Sequence, residues 1–128
     1  MDEFDIPIFK KNYTLYKLLS GMRATVPKQD RFAVWQRVEN SCLDLTELLL
    51  HATALYKTEK IPVLDQASVK LNLLRVLIRL AHDTKAIDGK KYTAIQQQID
   101  EIGRMLEGWM KSLKTEDKQS APAGALLP

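Results

Sequence analysis

The residues of this chain that could do chemistry are few: two histidines, one cysteine and scattered carboxylates. His51 and His82 stand in neither an H-E-x-x-H nor an E-x-x-H arrangement, so a helix-borne metal site lacks its second and third ligands. His51 borders an apolar seam and reads as a partly buried packing residue. His82 follows Arg79 by three and either joins a basic surface or packs. Ser41 and Cys42 fall in the middle of a helical stretch with no base at a suitable spacing, which argues against a nucleophile. Asp100 and Glu101 are adjacent, so a helix points them to different sides, and they read as solvated charges rather than an acid–base pair. No glycine-rich phosphate loop and no G-x-S-x-G elbow occurs. The expectation is a protein with no catalytic residues, no metal and no cofactor.

The basic residues are what remain. Lys10 and Lys17 are seven apart and share one side of a helix. Arg75 and Arg79 are four apart and share another. Arginines so placed can grip phosphates with paired N–H bonds, and clustered Lys and Arg attract nucleic acid in a salt-sensitive, sequence-independent way. The same charges could equally be solvating, or pair with Asp and Glu of neighbouring helices. Net charge is +3, but its distribution is uneven. Residues 6–37 hold seven basic side chains against one acid, and residues 38–66 hold two against five. Residues 67–91 return to six against two, and residues 92–117 have three against five.

Four amphipathic segments must position these charges. The first runs from about Phe9 to Thr25, with Phe9, Tyr13, Tyr16, Leu19 and Met22 on one face, Gly21 as a weak point, and Pro27 as its stop. The second runs from about Asp30 to Thr58, an expected length of about 40 Å at the helical rise. Asp30 is a plausible N-cap or first-turn acid. Its seam is Trp35, Val38, Cys42, Leu45, Leu49, Ala52 and Tyr56. Pro62 closes the next connection. The third segment, Val63 to Ala86, has one seam of Leu64, Ala67, Leu71, Leu74, Ile78 and Ala81. A second apolar seam of Val69, Leu73, Val76 and Leu80 lies well around the helix. Such a helix wants partners on more than one side, either inside its own bundle or across a subunit interface. The fourth segment, Gly89 to Leu113, opens on Asp88 as candidate N-cap and carries Tyr92, Ile95, Ile99, Ile102, Leu106, Trp109 and Leu113. Gly103 and Gly108 weaken it but permit a close neighbour.

Four helices with short connections favour an all-α, antiparallel up-down-up-down four-helix bundle. The 128 residues divide into an N-terminal arm (1–8), the bundle (9–114) and a disordered tail (115–128). A single cysteine allows no disulfide within the chain. The acidic opening MDEFDIPIF does not read as a secretory signal, and charges interrupt every apolar run, so no membrane span and a cytoplasmic location are expected.

The run YKLLSGMRATVPKQDRFAVWQRVENSCLDLTELLLHA resembles the small four-helix proteins related to those encoded in intervening sequences of bacterial large-subunit ribosomal RNA genes. In these proteins a first helix passes through a P-K-x-x-R-F linker into a long second helix, here Pro27, Lys28, Arg31 and Phe32. Length, basic character and the arginine-bearing third helix look most like the accessory variability determinant, Avd, of diversity-generating retroelements. The resemblance covers residues 9–113. It implies a non-catalytic partner of a retroelement reverse transcriptase, pentameric, positively charged and nucleic-acid-binding, needed for mutagenic retrohoming in a bacterial host or phage. The residues expected to contact RNA, DNA or the polymerase are Lys10, Lys11, Lys17, Arg23, Arg31, Arg37, Arg75 and Arg79. Two other readings stay open: an assembly bundle with no nucleic-acid affinity, and an enzyme, which would need a buried cluster that the seams lack.

Overall fold

A computed structural model describes residues 6–120. Pro7 opens the first helix, α1 (Pro7–Met22), at a position where its missing N–H costs nothing. A 3-10 turn, Arg23–Thr25, follows. The one-turn helix α2 (Lys28–Arg31) then leads into α3 (Val34–Ala54). A second 3-10 turn, Lys57–Glu59, precedes α4 (Lys60–Asp83), and α5 (Gly89–Ser120) completes the chain. No strand is present among the described residues.

The four long helices form the antiparallel bundle expected. Around the core they are ordered α1, α3, α4, α5, each packed on the next and α5 back on α1. Polar contacts fix the antiparallel sense. Asn12 meets Cys42 and Thr46 while Trp35, further back in α3, reaches the carbonyl of Leu19. Lys70 pairs with Asp44, Arg75 with Asp100, and Lys11 with Glu101. Each adjacent pair of long helices therefore shares at least one cross-helix ion pair, counting Arg23 with Glu39.

The seams of α3 and α4 are buried as their spacing demands, from Trp35 to Ala52 and from Leu64 to Ala81. In α5, Ile95, Ile99, Ile102, Leu106 and Leu113 are buried, with Tyr92 and Trp109 packed against them. Asp88 caps α5: its Oδ1 accepts the N–H of Lys91 at 2.9 Å.

Several boundaries differ from the expectation. The long second segment is broken at residues 32–33, and Asp30 sits in the first turn of α2 rather than capping α3. The chain leaves α3 at Leu55, which exposes Tyr56 (74% exposed) instead of adding it to the seam. Pro62 lies inside the first turn of α4, where a proline is tolerated, and does not end the connection. In α1 the buried face is Ile8, Phe9, Asn12, Leu15 and Leu19, while Tyr13 is exposed and Tyr16 half-buried. The face is rotated because Asn12 holds a seam position, satisfied by bonds to the Cys42 carbonyl (3.2 Å) and Thr46 Oγ1 (2.7 Å). An apolar count passes over such a residue. α5 continues to Ser120 through residues 115–120, since nothing there forbids a helix and the first proline beyond it is Pro122. Residues 1–5 of the arm expected at 1–8, and residues 121–128 of the tail expected at 115–128, lie outside the described residues.

Candidate nucleic-acid interface

The eight cations singled out by the sequence divide into two groups. Lys10 and Lys17 are exposed along one side of α1, with the Lys17 ammonium 5.8 Å from the centre of the Tyr13 ring. Arg37 is exposed on α3. The Arg79 side chain is 75% exposed on α4, and its ionic neighbour among the described residues is Asp83, one turn on, at 3.9 Å. Charge at these four positions is free to meet a ligand.

The other four are held by partners within the bundle. Lys11 reaches across to Glu101 of α5 at 2.8 Å. Arg23 donates from Nε to Glu39 Oε1 at 2.8 Å, and Glu39 is a buried carboxylate that needs this cation. Arg31 donates to the carbonyls of Val26 and Ala24, each at 2.8 Å, and so latches the turn between α1 and α2. Arg75 is drawn into the groove between α4 and α5, where Asp100 and Asn72 accept from it at 3.2 and 2.8 Å.

Gly103 makes room for that arginine. A Cβ added there would stand 2.9 Å from Arg75 Nη2, so the absence of a side chain lets the guanidinium lie against α5. Gly108, by contrast, has open space around it. The groove beside Arg75 has a volume of about 330 Å³ and sets Arg104 and Glu107 alongside Arg75 and Asp100. Its charges balance, which does not favour an anion. Arg75 and Arg79 share a helix but not a role: one is a helix–helix contact and the other a surface charge.

The residues available for catalysis are as scarce in space as in sequence. Cys42 is buried between α1 and α3 against Asn12, and burial pushes its thiol up to about 12. A thiol so protonated is no nucleophile. His51 is exposed, not packed, because it falls on the outward side of α3. His82 stacks on Tyr92 with ring centres 4.6 Å apart. No group of three or more His, Cys, Asp or Glu able to hold a metal occurs among the described residues. No described helix is long and apolar enough to cross a membrane.

The model of the bAvd-like family matches residues 8–113. The chain belongs to the bAvd-like family. The match spans all four long helices and ends where α5 extends beyond the core at Leu113. No curated protein matches the chain. The surface of the bundle carries cations beyond the eight first picked out. On that surface the sequence missed two groups. Lys60 caps α3 by donating to the carbonyls of Ala52 and Leu55, both at 2.6 Å. Lys85 and Lys91 join Thr25 at one end of the bundle. Thr25 is sixty or more positions from either lysine in the chain, and only the antiparallel return of α4 and α5 brings them together.

Proposed function

We propose that this chain is the accessory protein of a diversity-generating retroelement. In this reading it is not an enzyme. It binds the element's reverse transcriptase and its template RNA or cDNA through basic surfaces, and mutagenic retrohoming requires it. It acts as a homo-oligomer, a pentamer by family resemblance, in the cytoplasm of a bacterial host or from a phage genome. The observation that carries the reading is the family match across the whole bundle. Two features support it. The exposed cations Lys10, Lys17, Arg37 and Arg79 offer charge to a polyanion. Val69 and Val76 on α4 are 69% and 63% exposed, with Leu80 beside them, and give bundles an apolar surface through which to join.

The test is co-purification with a retroelement reverse transcriptase, together with RNA and DNA binding measured over a salt series. Binding that falls steeply with salt and survives in the complex is expected. A chain that ignores both polymerase and nucleic acid overturns the reading. Lys17→Glu with Arg79→Glu is the cleaner charge reversal, because Arg75→Glu would set a carboxylate against Asp100. A second reading, an assembly bundle without nucleic-acid affinity, draws on the four cations held by internal partners. It predicts an oligomer whose polymerase binding is unchanged by the double reversal.

A further inference from the structure

One end of the bundle is built from two separate stretches of chain. The connection from α1 to α3 supplies Thr25, Pro27 and α2, and the turn from α4 to α5 supplies His82 to Lys91. They meet where Lys91 Nζ donates to Thr25 Oγ1 at 2.9 Å. Between them lies an open cleft of about 470 Å³, whose polar lining is Thr25, His82, Lys85, Asp88 and Lys91. Asp88 is the one carboxylate in that lining, and its Oδ1 is occupied by the N–H of Lys91. Two ammonium groups and an imidazole therefore face the cleft against the single carboxylate of its lining, with Asp83 beside His82 at 3.6 Å.

Lys85 is set there at a conformational cost. Its φ of 65° is the left-handed conformation, in which helices usually end on Gly or Asn. The turn is otherwise a regular helix ending, with the N–H of Ala86 bonded to the Ala81 carbonyl at 2.8 Å. A lysine at this position adds nothing to the turn that glycine would not do better. What it adds is a cation at the cleft.

One helical turn along the same connection from Pro27 stands Phe32, 76% exposed and the most exposed of the large apolar side chains described. Lys28 is exposed on the same turn. An exposed aromatic ring is what an unpaired base stacks on, while the bases of a duplex are stacked on one another and out of reach.

We propose that this end of the bundle binds single-stranded nucleic acid, with Lys85 and Lys91 on the phosphates and Phe32 under a base. The proposal rests on the reading that this chain binds nucleic acid, and it adds which strand form and which end. The site is distinct from the Lys10–Lys17 side of α1 and from Arg75.

Fluorescence anisotropy of the full chain with labelled oligothymidylate, oligouridylate and a duplex of equal length, over a salt series, tests it. The single strands bind more tightly than the duplex. Lys85→Gly lowers affinity and flattens the log–log salt slope by about 0.7, the loss of one phosphate contact, while the melting temperature holds or rises. Phe32→Ala weakens binding about fivefold or more without changing the salt slope, because stacking is not ionic. Lys111→Gln, at the opposite end, binds like wild type. Single-strand binding that survives both Lys85→Gly and Phe32→Ala overturns this site and leaves the accessory reading standing. A preference for duplex also overturns it. Loss of polymerase co-purification with nucleic-acid affinity intact makes this end a protein-docking face and overturns it too. No binding of any nucleic acid removes both this proposal and the nucleic-acid half of the accessory reading.

Discussion

Cys42 and Asn12 show what single residues contribute here. The thiol donates to Asn12 Oδ1 at 3.4 Å, and the Asn12 amide donates to Thr46 and to the Cys42 carbonyl. Burial raises the thiol from 9.0 to about 12, so the folded state keeps its proton where the unfolded chain has lost it. The stability tied to that proton is complete below pH 9.0 and falls as pH rises toward 12. Urea midpoints measured across that window should drop, and Cys42→Ala should flatten part of the drop. A thiol reagent should label the native protein slowly and the unfolded chain fast. Arg23 and Glu39 give the second prediction at this scale. Arg23→Ala leaves a buried carboxylate unpaired, so stability should fall by about 1–3 kcal/mol by denaturant titration, and adding Glu39→Leu should restore part of it.

At the scale of elements, the helix ends decide more than the helix interiors. α1, α3 and α4 lack a side-chain N-cap, whereas α5 has Asp88. α3 is closed from outside by Lys60, whose ammonium lies on the carbonyls of its last turn, where the helix dipole also favours a cation. Lys60→Met should cost about 1 kcal/mol, visible as a lower melting temperature with little change in helix content. Gly21 lies within α1 with nothing near the position of a Cβ. Gly21→Ala should therefore stabilise by about 0.5–1 kcal/mol, and a destabilised variant would mean that an unseen neighbour fills that space. α4 carries two faces of different fate. One is the core seam, and the other, Val69, Val76 and Leu80, is exposed and has no cover among the described residues. Packing one chain uses a single stripe of this helix, so the second stripe is left for something else.

For the whole molecule, the proposed assembly follows from that uncovered stripe. In sedimentation or size-exclusion with light scattering, the wild-type chain should run as an oligomer. Val69→Lys with Val76→Lys should run as a single bundle with unchanged circular dichroism, since both side chains stand in solvent in one chain. An oligomer that survives the double change would move the interface away from α4. Charge is arranged at this scale as well. Four of the eight cations first picked out serve the bundle as ion pairs or backbone latches. The cleft end gathers Lys85 and Lys91 from a different part of the chain.

The four long helices, the core seams of α3, α4 and α5, the Asp88 cap and the surplus apolar face of α4 were all legible in the sequence. Each depends on periodicity along one helix or on residues within a turn of one another. The tertiary structure alone decided what depends on a neighbour. It rotated the buried face of α1 by giving Asn12 partners on α3. It turned Arg75 inward because Gly103 of α5 leaves space for a guanidinium. It ended α3 at Ala54 and closed it with Lys60. It also set Thr25 against Lys91 across one end of the bundle. A cation's partner is fixed by which helix lies beside it and at what height, and spacing along a single helix carries no information about either.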